Sequence, residues 1–354
     1  MSKRKLVYGI AIAGLIFSVG HLASCTNSEQ DQQENDSVGQ LIEQAASIFK
    51  PIISAAEHES NALTAEKIAL GKTLYYDVRL SKNNTQSCNS CHNLSTFGVD
   101  NLPTSPGDLG GNGARNSPTV LNAAYHGSQF WDGRAKDVEE QAGGPILNPV
   151  EMNMPDEKFV ENKLKGIKGY EELFKAAFPN EDAPISYANI TKAIGAFERT
   201  LFTPSRFDLF LKGDQKALTA EEQQGLTTFM NLGCITCHNG AAIGGSLLQK
   251  FPLFGEEYMS YTGSVKEDKG KMEETKKETD RFIFKTPSLR NIAKTAPYFH
   301  DGSVDDLHKA VKVMGKLQLN KDLTNQEVSS IVAFLNALTG DVPNEAKKIP
   351  EMPI

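Results

Sequence analysis

The sequence carries no excess of basic charge: 37 Lys and Arg face 44 Asp and Glu, for a formal net charge of -7. Phosphate binding needs a concentrated basic surface, so this balance excludes a nucleic-acid binder and suits a cationic protein partner. Long apolar runs are missing except at residues 6–19, a stretch too short and wrongly flanked for a membrane span. Cysteine is limited to Cys25, Cys88, Cys91, Cys234 and Cys237. Four of these fall in two C-x-x-C-H motifs rather than in scattered pairs. Tryptophan occurs once, as Trp131. Apolar residues are not scarce: 39% hydrophobic content over 354 residues excludes a disordered or fibrous chain and suggests two domains of ordinary size.

Residues 1–25 read as an export signal. Lys3, Arg4 and Lys5 precede the apolar stretch, and Leu22-Ala23-Ser24-Cys25 resembles a bacterial lipobox, which makes Cys25 the lipidated first residue of the mature protein. The competing reading is an uncleaved anchor helix; either one holds the chain at a membrane, facing outward. Thr26 does not match the aspartate that retains lipoproteins at the inner membrane, which favours a periplasmic protein anchored to the outer membrane. Residues 26–40 are polar and are expected to form a flexible tether.

The body reads as mainly α. Helical periodicity recurs at 41–49, 65–74, 159–164, 190–201, 221–230 and 328–338. Thr219-Ala220-Glu221-Glu222 and Thr324-Asn325-Gln326-Glu327 have the form of capping boxes. An internal repeat emerges when the two C-x-x-C-H motifs are used as anchors. Pro118, Asn122, Phe130, Asp132 and Gly133 match Pro287, Asn291, Phe299, Asp301 and Gly302 at identical spacing, which pairs Trp131 with His300. The second copy holds a charged insertion, residues 265–281, expected to be a solvated loop. We therefore expect two related helical domains, 41–204 and 205–340, followed by a tail at 341–354.

Cys88-Asn89-Ser90-Cys91-His92 and Cys234-Ile235-Thr236-Cys237-His238 each supply two thiols for thioether bonds to a haem and an adjacent imidazole for its iron. A zinc or redox C-x-x-C site is the competing reading of each motif. In the second unit Met314 is the candidate sixth ligand, although a lone methionine is more often core filler.

These residues resemble one family closely, the bacterial diheme cytochrome c peroxidases. The resemblance runs from about residue 41 to residue 340. It is carried by Arg115-Asn116-Ser117-Pro118-Thr119-Val120, Gln129-Phe130-Trp131-Asp132-Gly133-Arg134, Val150-Glu151-Met152, Arg206-Phe207-Asp208, Ala296-Pro297-Tyr298-Phe299-His300 and Val313-Met314-Gly315. It implies two cytochrome c-like helical domains, each with one covalent haem c. The first haem, on His92, would be the peroxide-reducing centre; the second, on His238 and Met314, would receive electrons from a small cytochrome c or cupredoxin. Gln141 and Glu151 match the family's distal residues, Trp131 the residue between the haems, and His300 a residue near the second haem. Asn116, Thr295 and Pro297 match an interdomain calcium site. The resemblance also favours a homodimer.

One departure stands out. Many family members carry a Gly-His pair ahead of the Arg-Asn-Ser-Pro segment, and that histidine caps the first iron at rest. This chain reads Ser105-Pro106-Gly107-Asp108-Leu109-Gly110-Gly111, with no histidine between His92 and His126. The expectation is an open first haem that needs no reductive activation. Other readings are a diheme electron carrier, which would need no Gln141 or Glu151, and a protein-oxidising diheme enzyme, which would carry tyrosine at Met314. A haem-based sensor is a further reading, with no signalling module evident.

Overall fold

The computed structural model describes residue 1, residues 22–255 and residues 257–354, with backbone only between 22 and 34. The expected signal segment lies largely outside the described residues, as does the Cys25 side chain. Among the described residues no helix is long and apolar enough to cross a membrane.

The molecule is built from two copies of one helical arrangement. The first copy holds α2 (Ala65–Tyr76), α3 (Cys88–Cys91), α4 (Val138–Leu147), α5 (Glu157–Lys165), α6 (Lys168–Ala177) and α7 (Tyr187–Glu198), behind an N-terminal helix α1 (Leu22–Ile48). The second holds α8 (Arg206–Leu211), α9 (Ala220–Leu232), α10 (Tyr258–Thr262), α11 (Met272–Thr275), α12 (Leu307–Leu319) and α13 (Asn325–Ala337), followed by α14 (Asn344–Lys347). A two-stranded antiparallel ribbon, β1 (Leu248–Lys250) and β2 (Ile283–Lys285), flanks the second copy. Both sequence-predicted capping boxes form, at Thr219 and at Thr324.

Each copy is locked by one tight helix crossing. A Cβ on Gly71 of α2 would sit 1.8 Å from Ala193 O of α7, and one on Gly225 of α9 would sit 1.9 Å from Ser330 O of α13. Only glycine allows the backbones so close. The repeat extends to backbone conformation: Asn122 and Asn291, Phe130 and Phe299, and Gly133 and Gly302 all take left-handed φ at matching positions.

Three expectations about organisation are corrected. Residues 26–40 are not an irregular tether but part of α1; the stretch contains no proline, and a polar helix propagates readily from a packed end. That packed end crosses over. Ala45 and Phe49 are buried in the second copy's core with Phe207, Phe334 and Leu226, and Phe49 meets Phe207 edge-on at 5.3 Å. The tail crosses the other way, placing Val342 and Ala346 in the first copy's core beside Tyr75 and Leu94. The Tyr76 hydroxyl donates to Ala346 O at 2.8 Å, and Arg79 donates to Pro353 O at 2.9 Å. The domain limits at 41 and 341 therefore do not separate the two cores. Finally, the insertion is not simply solvated: Asp268 accepts two hydrogen bonds from Arg115 of the first copy, at 2.6 and 2.8 Å.

Buried ion pairs fix the ends of this frame. Arg290 is fully buried and donates twice to Asp208, at 2.8 Å each, while Asp208 also accepts from Ile52 N. Arg199 makes the same bidentate contact with Glu139, at 2.7 Å each.

Candidate functional site

Each C-x-x-C-H motif sits on a single helical turn. Ser87 and Ser90 cap α3, and His92 N donates back to Cys88 O at 2.9 Å, so both thiols and the imidazole leave one turn. In the second copy Gly233, at φ +93°, ends α9 and starts a 3-10 turn, Cys234–Thr236; His238 N donates to Cys234 O at 3.0 Å. All four thiols are unpaired. Burial pushes Cys91 and Cys234 up to about 11. A redox C-x-x-C activates its attacking thiol by the opposite shift, so burial of these thiols counts against that reading. Among the described residues no set of His, Cys, Asp or Glu ligands gathers around either motif, as zinc would require.

The two histidines share one environment. Burial lowers His92, and lowers His238 to about 4, so both rings are neutral at pH 7, the form that ligates iron. The backbone of Pro118 faces His92 and that of its repeat partner Pro287 faces His238. Neither buried Nδ1 reaches hydrogen-bond geometry in the chain as it stands.

A cleft opens beside Cys88, Cys91 and His92. Its apolar lining includes Val120, Phe130, Ala142, Pro145 and Met152, and Trp131, Gln141 and Glu151 line the same space. Two free thiols and a neutral imidazole on an apolar cleft are the donor set a covalent haem requires, and the residues fit the group. Gln141 comes from α4, whose start is capped by Asp137. Glu151 lies just beyond the end of α4 and accepts from Asn148 Nδ2 at 3.0 Å. Burial raises its pKa above the ordinary glutamate value, against the opposing pull of Arg134 and the Asn148 hydrogen bond. The Arg134 guanidinium lies 3.5 Å from the Phe130 ring centroid and also binds Asp132 at 2.7 Å.

Trp131 belongs to the first copy's cleft and to the second copy's core at once. It packs against the cluster of Phe251, Tyr258, Phe284, Val313 and Leu317 that also holds Met314 and Phe299. Its indole N–H donates to Asn116 O at 2.9 Å, and its ring meets His300 edge-on at 6.4 Å. His300 is buried, stacks on Phe284 at 4.4 Å and leaves Nε2 without a partner.

Asn116 lies on the seam between the copies: its N–H donates to His300 O at 2.8 Å and its Nδ2 to Leu102 O at 2.9 Å, leaving Oδ1 as the oxygen open to a cation. Thr295 and Pro297 sit in the neighbouring loop of the second copy, where the Ala296-Pro297 peptide is cis and Asn101 Nδ2 donates to Ala296 O at 2.8 Å.

The loop that lacks a histidine is tied down. Asp108 is buried and accepts from Thr85 Oγ1 at 2.7 Å and from Asn83 N at 3.1 and 3.2 Å, while its own N–H donates to Glu151 O at 2.7 Å. A Cβ on Gly107 would sit 2.1 Å from Val150 O, so the loop lies directly on the segment that carries Glu151.

Four further residues line this cleft: Arg134, quoted above only as the end of a family motif; His126, whose closeness to Trp131 in sequence also allows a substitute haem ligand; and Glu198 and Lys285, to which the sequence gave no role. Burial, with the nearby Glu139, raises buried Glu198 to about 8. No local motif marks Glu198 or Lys285. Their roles depend on chain segments that meet only in the fold.

Known proteins match this arrangement. A family model described as di-haem cytochrome c peroxidase covers residues 65–216. The cytochrome c551 peroxidase of Pseudomonas aeruginosa is 47% identical over 305 residues, 86% of this chain and 87% of that protein. The cytochrome c551 peroxidase of Nitrosomonas europaea is 48% identical over 290 residues, 82% of this chain and 84% of that protein. A solved MauG-like protein associated with microbial copper homeostasis has a TM-score of 0.74 at 29% identity, covering 85% of this chain and 97% of that one. With identity of this order over most of its length, the chain belongs to the di-haem cytochrome c peroxidase family and is a c-type haem oxidoreductase.

Proposed function

We propose that this chain reduces hydrogen peroxide to two waters, consuming two electrons and two protons, with electrons drawn from a small cytochrome c or cupredoxin. The observation that carries the reading is the single cleft in which His92, Gln141, Glu151 and Trp131 meet. Two haems c, bound through Cys88, Cys91 and His92 and through Cys234, Cys237, His238 and Met314, would supply the redox chemistry. Glu151 would take a proton from one peroxide oxygen and return it to the leaving oxygen, a task suited to a carboxyl whose pKa lies above its usual range. Gln141 orients the peroxide. Trp131 supplies an aromatic bridge from the cleft to the cluster that holds Met314.

The first site is open at rest in this proposal, because residues 105–111 lack the capping histidine that the family resemblance leads one to expect, and Asp108 in that loop is held by Asn83 and Thr85. Asn116 Oδ1 and the backbone carbonyls of Thr295 and Pro297 form a calcium site on the seam; oxygen ligands completed by water suit that ion. The protein works as a homodimer in the periplasm, lipidated at Cys25 and anchored to the outer membrane.

The test is an electron paramagnetic resonance spectrum of the oxidised protein, paired with peroxide turnover before and after one-electron reduction. A high-spin signal with immediate turnover is expected. Low-spin signals from both haems, with turnover only after reduction, would overturn the open state. The same signals with no turnover in either state would replace the peroxidase with an electron carrier.

A further inference from the structure

The internal repeat places two related polar sites on the seam between the copies. The spacing that pairs Pro118 with Pro287 and Asn122 with Asn291 also pairs Asn116 with Lys285 and Thr295 with His126. The backbone obeys the same relation: Asn116 N donates to His300 O at 2.8 Å and Lys285 N donates to Trp131 O at 2.6 Å, Trp131 and His300 being partners themselves. One site is therefore built of oxygens and the other around an ammonium.

The second site gives its ammonium a neutral acceptor and no unpaired carboxylate of its own. Lys285 is 6% exposed, and its Nζ lies 3.1 Å from His126 Nδ1. An ammonium only donates, so Nδ1 accepts and the ring proton sits on Nε2. Nε2 is buried without a partner. Burial lowers Lys285 to about 8, and burial together with the lysine holds His126 well below its ordinary value, which keeps the ring neutral. The carboxylate that acts on Lys285 is Asp132, already held by Arg115 at 2.6 Å and Arg134 at 2.7 Å. A buried ammonium whose neighbouring carboxylate is already paired, beside a buried N–H without a partner, calls for an anionic ligand. Both residues line the first-copy cleft.

We propose that Lys285 and His126 together bind a propionate carboxylate of the first haem, so that the second copy supplies the charge that sets the first haem's reduction potential. This rests on the reading that the first cleft holds haem. Neutralising the propionate favours the reduced iron; removing the ammonium leaves the carboxylate charge uncompensated and favours the oxidised one.

The experiment is a spectropotentiometric titration of the diheme protein, wild type against K285M and H126L, with resonance Raman spectra of the propionate bending modes. In K285M the first haem's reduction equilibrium is expected to move about tenfold toward the oxidised form, ~59 mV for one electron, while the second haem stays in place. The first haem's propionate band is expected to shift with it. H126L should move the same equilibrium in the same direction by a smaller factor, and K285R should restore it. An unchanged first-haem potential and propionate band in K285M overturn the proposal; if K285M does not mature, the same null result in H126L does so. Peroxide turnover of the wild type is read separately. Turnover without the potential shift rejects this site and keeps the peroxidase, whereas the shift without turnover rejects the peroxidase and keeps the site.

Discussion

Asn122 and Asn291, repeat partners from the two copies, donate to one and the same acceptor, Thr203 Oγ1, at 2.9 and 2.8 Å. Thr203 is completely buried, and the linkage continues through Thr203 N to Asn122 Oδ1 and Gly340 N to Asn291 Oδ1. The two copies are thus joined at a point where equivalent side chains converge on a single hydroxyl. Thr203→Val keeps the shape but strands two buried amide donors, each costing about 1–3 kcal/mol. We expect the holoprotein's thermal midpoint to fall by several degrees in T203V and to recover in T203S. Equal midpoints for wild type and T203V would show that the linkage contributes nothing.

Glu151 yields a prediction with a definite sign. Burial raises its pKa, so the carboxylate that would accept the peroxide proton in the proposed reaction is lost as pH falls, and lost earlier than at an ordinary glutamate. The acid limb of kcat/KM should lie above the usual value of ~4.3. Arg134 pulls the pKa down, so Arg134→Leu should move that limb to still higher pH. Glu151→Gln should remove the limb and lower turnover by about 10²–10⁴. An acid limb unchanged in E151Q would assign it to another group.

Much of this site was legible before the fold. The two haem motifs, the capping boxes and the repeat are local or periodic patterns, and each signals its own structure. The repeat pairs Asn122 with Asn291, and the structure adds that the conformation they share is left-handed. What could not be read is which copy a segment joins. Periodicity marks 41–49 as helical but does not say that Ala45 and Phe49 pack against Phe207, and the tail gave no sign of crossing to Tyr76. Charge in 265–281 suggested solvation because composition does not name a partner; Arg115 lies in another copy. His126 and Lys285 are far apart in sequence and meet in the fold, where Lys285 N also donates to Trp131 O.

Trp131 is expected to serve two purposes that substitution can separate. Trp131→Phe keeps the aromatic bridge and strands Asn116 O, at a cost of about 1 kcal/mol. Trp131→Ala also empties part of the cluster around Phe251 and Met314, for about 3–5 kcal/mol. In stopped-flow reoxidation by peroxide, electron transfer between the copies should stay near the wild-type rate in W131F and slow at least about tenfold in W131A, ~1.4 kcal/mol of barrier. Equal rates in the two variants would leave the indole with a packing role only.

Asp108 offers a test of the proposed open first site. Its carboxylate accepts from Thr85 Oγ1 and Asn83 N while its N–H holds Glu151 O, so one residue fixes the loop and the segment that carries the distal glutamate. Asp108→Asn retains an acceptor and should leave the oxidised protein high-spin and active. Asp108→Ala removes charge-assisted bonds, about 1.5–3 kcal/mol each, and should loosen the loop and lower turnover without changing spin state. Asp108→His does more: it loses the anchoring carboxylate and offers an imidazole to the cleft. We expect D108H to give a low-spin first haem in the oxidised protein and to require one-electron reduction before it turns over peroxide. If D108H remains high-spin and immediately active, the loop cannot deliver a ligand to that iron, and the resting state is set elsewhere in the cleft.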